Sequence, residues 1–183
     1  MEICLQDLAK ADLKRIAVIG CPGSGKTTLA RKIGKALGRK VVHLDKELWL
    51  PDWTEMPFEQ REAIHEAIIM QEEWIIDGMW RSHVQNRLKR ATLVVFLDFN
   101  TDLCLKRIFK RRENGDVQRD DIAEGCLESK DNDFDGFVRY VKSFNDEVRP
   151  VVADYLANTN VDCIRLTRAY QTRVLVNALK NYK

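Results

Sequence analysis

Eight consecutive residues, Gly20–Cys21–Pro22–Gly23–Ser24–Gly25–Lys26–Thr27, restrict the possible folds of this chain more than any other feature. The apolar run Arg15–Ile16–Ala17–Val18–Ile19 leads into them, and Thr28–Leu29–Ala30–Arg31–Lys32–Ile33 leads out. A strand, a glycine-rich turn and a helix in that order make an anion cradle. Backbone N–H groups converge in the turn, and the helix N-terminus adds partial positive charge. Glycine accepts the backbone angles and close approach that a larger residue would block. Lys26 has the reach for terminal phosphates and the Thr27 hydroxyl can ligate Mg²⁺. Gly20 through Thr28 are therefore the expected binding set for a nucleoside triphosphate and Mg²⁺.

The remaining pattern predicts what surrounds this loop. Short apolar runs at Val41–Leu44, Trp74–Ile76, Leu93–Leu97 and Cys163–Leu166 read as further strands. Helical spacing occurs in the first fourteen residues, after the loop up to Gly38, over Pro57–Glu73, from Thr101 to about Arg112, around Phe137–Leu156, and in a closing helix from Val174 to Tyr182. Strands alternating with helices imply right-handed βαβ units: a five-stranded parallel sheet between two helical layers. Ligands of such sheets lie beyond the carboxyl ends of the strands, a rim that Asp45, Asp77 and the loop would share. A chain of 183 residues suits a single domain, 1–183, with an insert at about 46–73 and a charged lid at about 112–136. Thirty basic against twenty-eight acidic residues give no general pull toward nucleic acid or anionic membrane. Cys4, Cys21, Cys104, Cys126 and Cys163 form no C-x-x-C pair, and no apolar run approaches a membrane span. Reduced thiols and a cytoplasmic setting are expected.

Several side chains are candidates for chemistry on that rim. Arg107 and Arg111 are four residues apart, on one helix face about 6 Å apart along the axis, and arginine's planar fork suits phosphate oxygens. A solvated basic face is the alternative, since Lys110 and Arg112 adjoin them. Arg139, and Arg119 from the lid, are placed to close over phosphates; Arg81 and Arg87 are placed to bracket an acceptor phosphate. Asp77, with Asp98 as rival, can hold Mg²⁺ through water. Asp45 can orient or deprotonate a hydroxyl acceptor, merely bind a phosphate acceptor, or cap a helix. Trp49 and Trp53 can stack on a ligand or pack, Arg168 sits where it can meet a base, and His43, His65 and His83 lack metal spacing.

No N-K-x-D guanine signature is present. Asp77–Gly78–Met79–Trp80–Arg81 resembles the D-G-F-P-R stretch of adenylate kinases, Leu105–Arg112 their helix entering the lid, and Phe137–Val138–Arg139 the helix leaving it. Over residues 14 to 180 the chain resembles the FlaR-like topology-modulation proteins. It shares with them the loop, His43–Leu44–Asp45, Trp74–Ile75–Ile76–Asp77–Gly78, Val95–Phe96–Leu97–Asp98 and Gly125–Cys126. The resemblance implies a three-layer P-loop NTPase fold of nucleoside-monophosphate-kinase type with a small lid, ATP as ligand, Arg107 near adenine, Arg111 on the phosphates and Arg139 on the transferring group. Two departures qualify it. Asp45–Lys46–Glu47–Leu48–Trp49 stands where adenylate kinases carry an acceptor-binding Thr and Arg, and a single lid cysteine does not make a zinc site. The expectation is an ATP- and Mg²⁺-dependent phosphotransferase acting on a nucleotide or small metabolite, with Lys26, Arg111, Arg139 and Asp45 as catalytic residues. The alternative is an ATP-dependent regulatory or nucleic-acid-associated protein using Lys106–Arg112; near-neutral charge and the lack of a DNA-binding motif count against it.

Overall fold

The computed structural model describes residues 5–114, 118–127 and 133–181, with side chains from residue 8 onward. Cys4 and Tyr182 lie outside the described residues, as do 115–117 and 128–132 of the expected lid. In chain order the strands are β1 (Arg15–Gly20), β2 (Val42–His43), β3 (Trp49–Leu50), β4 (Thr54–Glu55), β5 (Trp74–Asp77), β6 (Leu93–Leu97) and β7 (Asp162–Leu166). Five form a parallel sheet in the order β2-β5-β1-β6-β7, while β3 and β4 pair as a separate antiparallel hairpin. In β1, Ile16, Ala17, Val18 and Ile19 are wholly buried, as a central parallel strand covered on both faces requires. Ile16 pairs with Ile75 on one side and Leu93 on the other, so the chain leaves β1 toward one edge and later returns to the other. That reversal opens a crevice at the carboxyl end of β1.

The α-helices are α1 (Lys26–Leu37), α2 (Leu44–Glu47), α3 (Phe58–Ile69), α4 (Val84–Arg90), α5 (Thr101–Glu113), α6 (Phe134–Ser143), α7 (Arg149–Ala157) and α8 (Gln171–Lys180). The α/β architecture follows the sequence expectation, with local differences. The N-terminal helix is a short 3₁₀ turn, Leu5–Lys10. The second strand is cut to two residues because Leu44 already begins α2. The single helix expected over Phe137–Leu156 starts earlier, where the Asp133 side chain accepts from the Gly136 N–H, and is interrupted by a π-helical segment, Phe144–Val148. Pro150 explains the interruption: it has no N–H to donate back into the preceding turn, so the backbone shifts register ahead of it. Among the described residues no helix is long and apolar enough to cross a membrane.

Candidate active site

A cavity of about 990 Å³ opens at the crevice, and one wall of it is the glycine-rich loop. Gly23 has φ 80°, and a Cβ there would lie 2.5 Å from the Cys104 carbonyl oxygen on α5, so packing and conformation both demand glycine. Gly25 has φ 96° with no close neighbour; there conformation alone demands it. The Leu29 N–H bonds to Gly25 O at 3.0 Å as the first turn of α1 closes. The N–H groups of Lys26, Thr27 and Thr28 precede it and are first-turn donors beside the cavity. Lys26 Nζ donates to Cys21 O at 3.1 Å. Burial pushes the Lys26 ammonium down from its usual range, and the Asp45 and Asp77 charges oppose that. Cys21 contributes only its backbone here, because its thiol is buried against Cys104.

The donor set fits Mg²⁺ and a triphosphate. Thr27 Oγ1 donates to Asp77 Oδ2 at 2.6 Å, which leaves the hydroxyl lone pairs for a cation. Asp77 is only 3 % exposed, lies behind Thr27 and takes His43 Nδ1 on its other oxygen. Asp77 does not line the cavity and reaches a ligand there through Thr27. Burial lowers the His43 pKa, but the hydrogen bond to Asp77 and its charge outweigh that and raise it overall. Asp98, the rival, is instead held by Arg149 Nε at 2.7 Å and Arg165 Nε at 2.7 Å, away from the cavity.

On the opposite wall, Asp45 sits in α2 and opens onto the cavity. It is no cap: the N-cap position of α2 is His43, with no side-chain cap bond. The residue is solvent-exposed where it borders the cavity, although protein atoms crowd its carboxyl. Burial raises its pKa, Lys26 pulls it down, and Asp77 pushes it up again. Arg61 and Arg81 also line this half; Arg61 lies 3.5 Å from Glu55, with its guanidinium 6.0 Å from the Trp80 ring centre, and Arg81 lies 3.4 Å from Glu147. Trp80 stacks on His83 with centroids 4.1 Å apart.

Arg87 does not bracket an acceptor. It is fully buried, donates to Gly78 O at 2.9 Å and to His65 Nε2 at 3.1 Å, and so braces the turn after β5 from behind. Burial pushes its pKa down to about 10. Because arginine only donates, His65 Nε2 is the unprotonated nitrogen, and burial with the Arg87 and His83 charges pushes that imidazole down to about 3. Arg168 is exposed and outside the cavity, with its N–H on Gln171 Oε1.

On the lid side, Arg107 donates to Ser24 O at 2.9 Å and Gly23 O at 3.4 Å, with its guanidinium over Phe99. It braces the loop and also lines the cavity, the side on which a place near adenine was expected. Arg111, one turn further along α5, lines the cavity. Arg139 does not: its side chain is 73 % exposed and lies 3.7 Å from Asp133, while Phe137 and Tyr140 of the same helix face inward. Arg119 lines the cavity 3.3 Å from Asp121, which Arg31 of α1 also holds at 3.0 Å. Arg31, Arg61 and Asp121 were missed in the sequence. Arg31 had a readable signal, one helical turn beyond Thr27, whereas nothing in the spacing marks Arg61.

Trp49 and Trp53 pack edge to face with centroids 5.6 Å apart, against a small cluster of Ile122, Ala123 and Cys126. Asp52 and Trp53 hold left-handed backbone angles, φ 57° and 55°, at a cost of about 1 kcal/mol or more each for non-glycine residues.

Residues 16–131 match the AAA domain family, and the chain belongs to it. Solved structures of the same fold include a shikimate kinase from Acinetobacter baumannii in complex with shikimate, 19 % identical with a TM-score of 0.58 over 95 % of each chain. A sugar kinase from a Janibacter species is 14 % identical with a TM-score of 0.51, covering 93 % of this chain and 94 % of that one. A gluconokinase from Sinorhizobium meliloti is 16 % identical with a TM-score of 0.50, covering 91 % and 89 %. At these identities the likeness is one of fold: a P-loop kinase-like α/β protein with small-molecule kinases among its structural neighbours. A comparison with curated protein sequences gives no match.

Proposed function

We propose that the protein is an ATP- and Mg²⁺-dependent phosphotransferase whose acceptor is a hydroxyl of a small molecule, with the insert at about 46–73 on the acceptor side and the segment at about 112–136 as lid. The carrying observation is that Asp45 faces the same cavity as Lys26 and Thr27, close enough for each of Asp45 and Lys26 to shift the other's pKa. A phosphate acceptor needs no base; a hydroxyl does.

In this reading the loop amides and Lys26 hold the β- and γ-phosphates, and Thr27 would hold Mg²⁺, which would supply neutralisation of their charge. Arg111 takes a γ-phosphate oxygen, and Arg107 keeps the loop in shape by holding two of its carbonyls. The acceptor oxygen bonds to the γ-phosphorus as the bond from that phosphorus to the β,γ-bridging oxygen breaks. Its proton passes to the Asp45 carboxylate, and ADP leaves. Solved structures of the same fold include a shikimate kinase in complex with shikimate, a sugar kinase and a gluconokinase, and shikimate and sugars are hydroxyl compounds, which agrees with this class. The finer likeness to FlaR-like proteins rests on the sequence motifs quoted above. The regulatory alternative loses support because Arg107 and Arg111 turn into the cavity and leave a depleted basic face.

The test is ADP formation from MgATP with pooled hydroxy acids and polyols, against pooled nucleoside monophosphates. Stimulation by the first pool that disappears in both Lys26→Ala and Asp45→Asn is expected. Stimulation by the second pool that survives Asp45→Asn would replace a hydroxyl acceptor with a phosphate one.

A further inference from the structure

Residues of the β3–β4 hairpin and of the segment 118–127 meet across 73 to 76 positions of the chain and share a small apolar cluster separate from the main core. Hydrogen bonds join them around one thiol and one indole. The Trp53 N–H donates to Cys126 Sγ at 3.3 Å, the Cys126 thiol donates to Leu50 O at 3.3 Å, and Trp53 Nε1 donates to Leu127 O at 2.8 Å. Another reaches the reacting side: the Ala123 N–H donates to the backbone carbonyl of Asp45 at 3.3 Å. The strained angles at Asp52 and Trp53 are confined to this contact, and a Cβ on Gly125 would meet Asp52 Oδ1 at 3.0 Å. Trp49, Asp52 and Trp53 also line the cavity, as do Arg119 and Asp121 of the opposing segment.

We propose that Trp53 and Cys126 are positioning residues that latch the lid onto the acceptor hairpin, so that the acceptor side of the cavity decides whether the donor side is shut. This rests on the kinase reading for its purpose. The same hairpin residues that can touch an acceptor hold the lid, and the lid segment carries Arg119 and the Asp121 that Arg31 of the donor helix holds. Weakening the latch therefore weakens nucleotide retention from a distance, and nucleotide in turn strengthens the latch. A latch that must open belongs to the low-stability end of the molecule, and a small satellite cluster apart from the main core meets that requirement.

The thiol itself reports the latch. Cys126 is buried in the latched state, while Cys163 is buried in the main sheet and serves as an internal control. Alkylation by N-ethylmaleimide, resolved by site, is compared in the wild type and Trp53→Ala, with and without the β,γ-imido analogue of ATP and Mg²⁺. The expected result is that Trp53→Ala speeds alkylation of Cys126 about ten-fold or more while Cys163 stays protected. The analogue should slow Cys126 alkylation in the wild type and bind the variant about five-fold more weakly. Equal Cys126 rates in the two proteins, or no effect of the analogue on the wild type, would overturn the latch. If Trp53→Ala also exposes Cys163, Trp53→Phe decides, since it keeps a ring and loses only the indole bond to Leu127. Faster alkylation at Cys126 alone supports the latch, and an unchanged rate refutes it. None of these readings needs turnover, so an enzyme inactive toward every acceptor would refute the kinase reading and leave the latch standing.

Discussion

Asp45 and Lys26 share one cavity, and each is displaced from its ordinary ionisation by burial. For Asp45 this has a kinetic consequence with a definite sign. A carboxyl whose pKa is raised stays protonated to higher pH, and only its ionised form accepts a proton, so kcat should fall as pH drops through a value above the usual 3.8. Asp45→Asn is expected to lower kcat by about 10²–10⁴-fold and to abolish that acidic limb, with the nucleotide Kd little changed. A pH–kcat profile of both proteins checks it; an acidic limb retained in the variant would assign the ionisation elsewhere. Arg87 teaches the complementary lesson. Its position after a strand-end aspartate suggested a phosphate ligand, but burial and the Gly78 and His65 contacts give its charge a bracing role.

At the scale of elements, two glycines four positions apart, Gly34 within α1 and Gly38 capping it, should respond differently to the same substitution. Gly34 lies in the last turn of α1, where alanine is still favoured over glycine by up to about 1 kcal/mol, but a Cβ there would lie 2.7 Å from both Arg39 O and Val41 Cγ2. Overpacking costs about 1–3 kcal/mol and wins, so Gly34→Ala should destabilise. Gly38 has φ 65° and nothing within 4 Å of a Cβ; Gly38→Ala should cost about 1 kcal/mol through conformation alone, part of which Gly38→Asn restores. Urea midpoints with unchanged m-values would measure both, and a destabilisation of Gly38→Asn equal to that of Gly38→Ala would contradict the conformational explanation. The five parallel strands and the loop were legible in the sequence because local signals agreed with the tertiary solution there: continuous apolar runs, a glycine turn and helical spacing all point the same way. The hairpin over Trp49–Glu55 was not, since its strands are two residues each and depend on a partner segment distant in the chain. The π segment before Arg149 was missed for a different reason: an apolar helical period continues through it while Pro150 alters the backbone register. In the site, the loop and Asp45 could be placed from local pattern, whereas Arg61 and Asp121 acquire meaning only from contacts across the cavity.

For the whole molecule, the sheet's carboxyl rim is held by a buried polar node rather than by apolar packing alone. His65 from α3, Arg87 from α4 and the backbone after β5 meet there, with His83, Trp80 and Asp77 as neighbours and Glu62 bonded to His83 at 3.2 Å. This node gives global stability a pH dependence. In the folded protein the His65 imidazole is pushed down to about 3, whereas an unfolded chain takes up the proton near its ordinary value of about 6.5. Between those values the unfolded state binds more protons, so stability rises with pH across the window. The contribution is fully present above about 6.5 and is lost as pH falls toward 3, by at most about 1.4 kcal/mol per pH unit from this one group. Asp45 acts oppositely: its raised carboxyl pKa favours the folded state as pH falls from the raised value toward 3.8, partly masking the histidine. His65→Gln removes the titration and keeps an acceptor for Arg87. Urea unfolding from pH 7.5 to 4.5 should therefore show the wild type losing stability more steeply than the variant, with the two converging in slope above pH 7. Parallel slopes through the whole range would mean that the proton enters elsewhere on unfolding, and that Arg87 is held by the Gly78 carbonyl without help from a neutral imidazole.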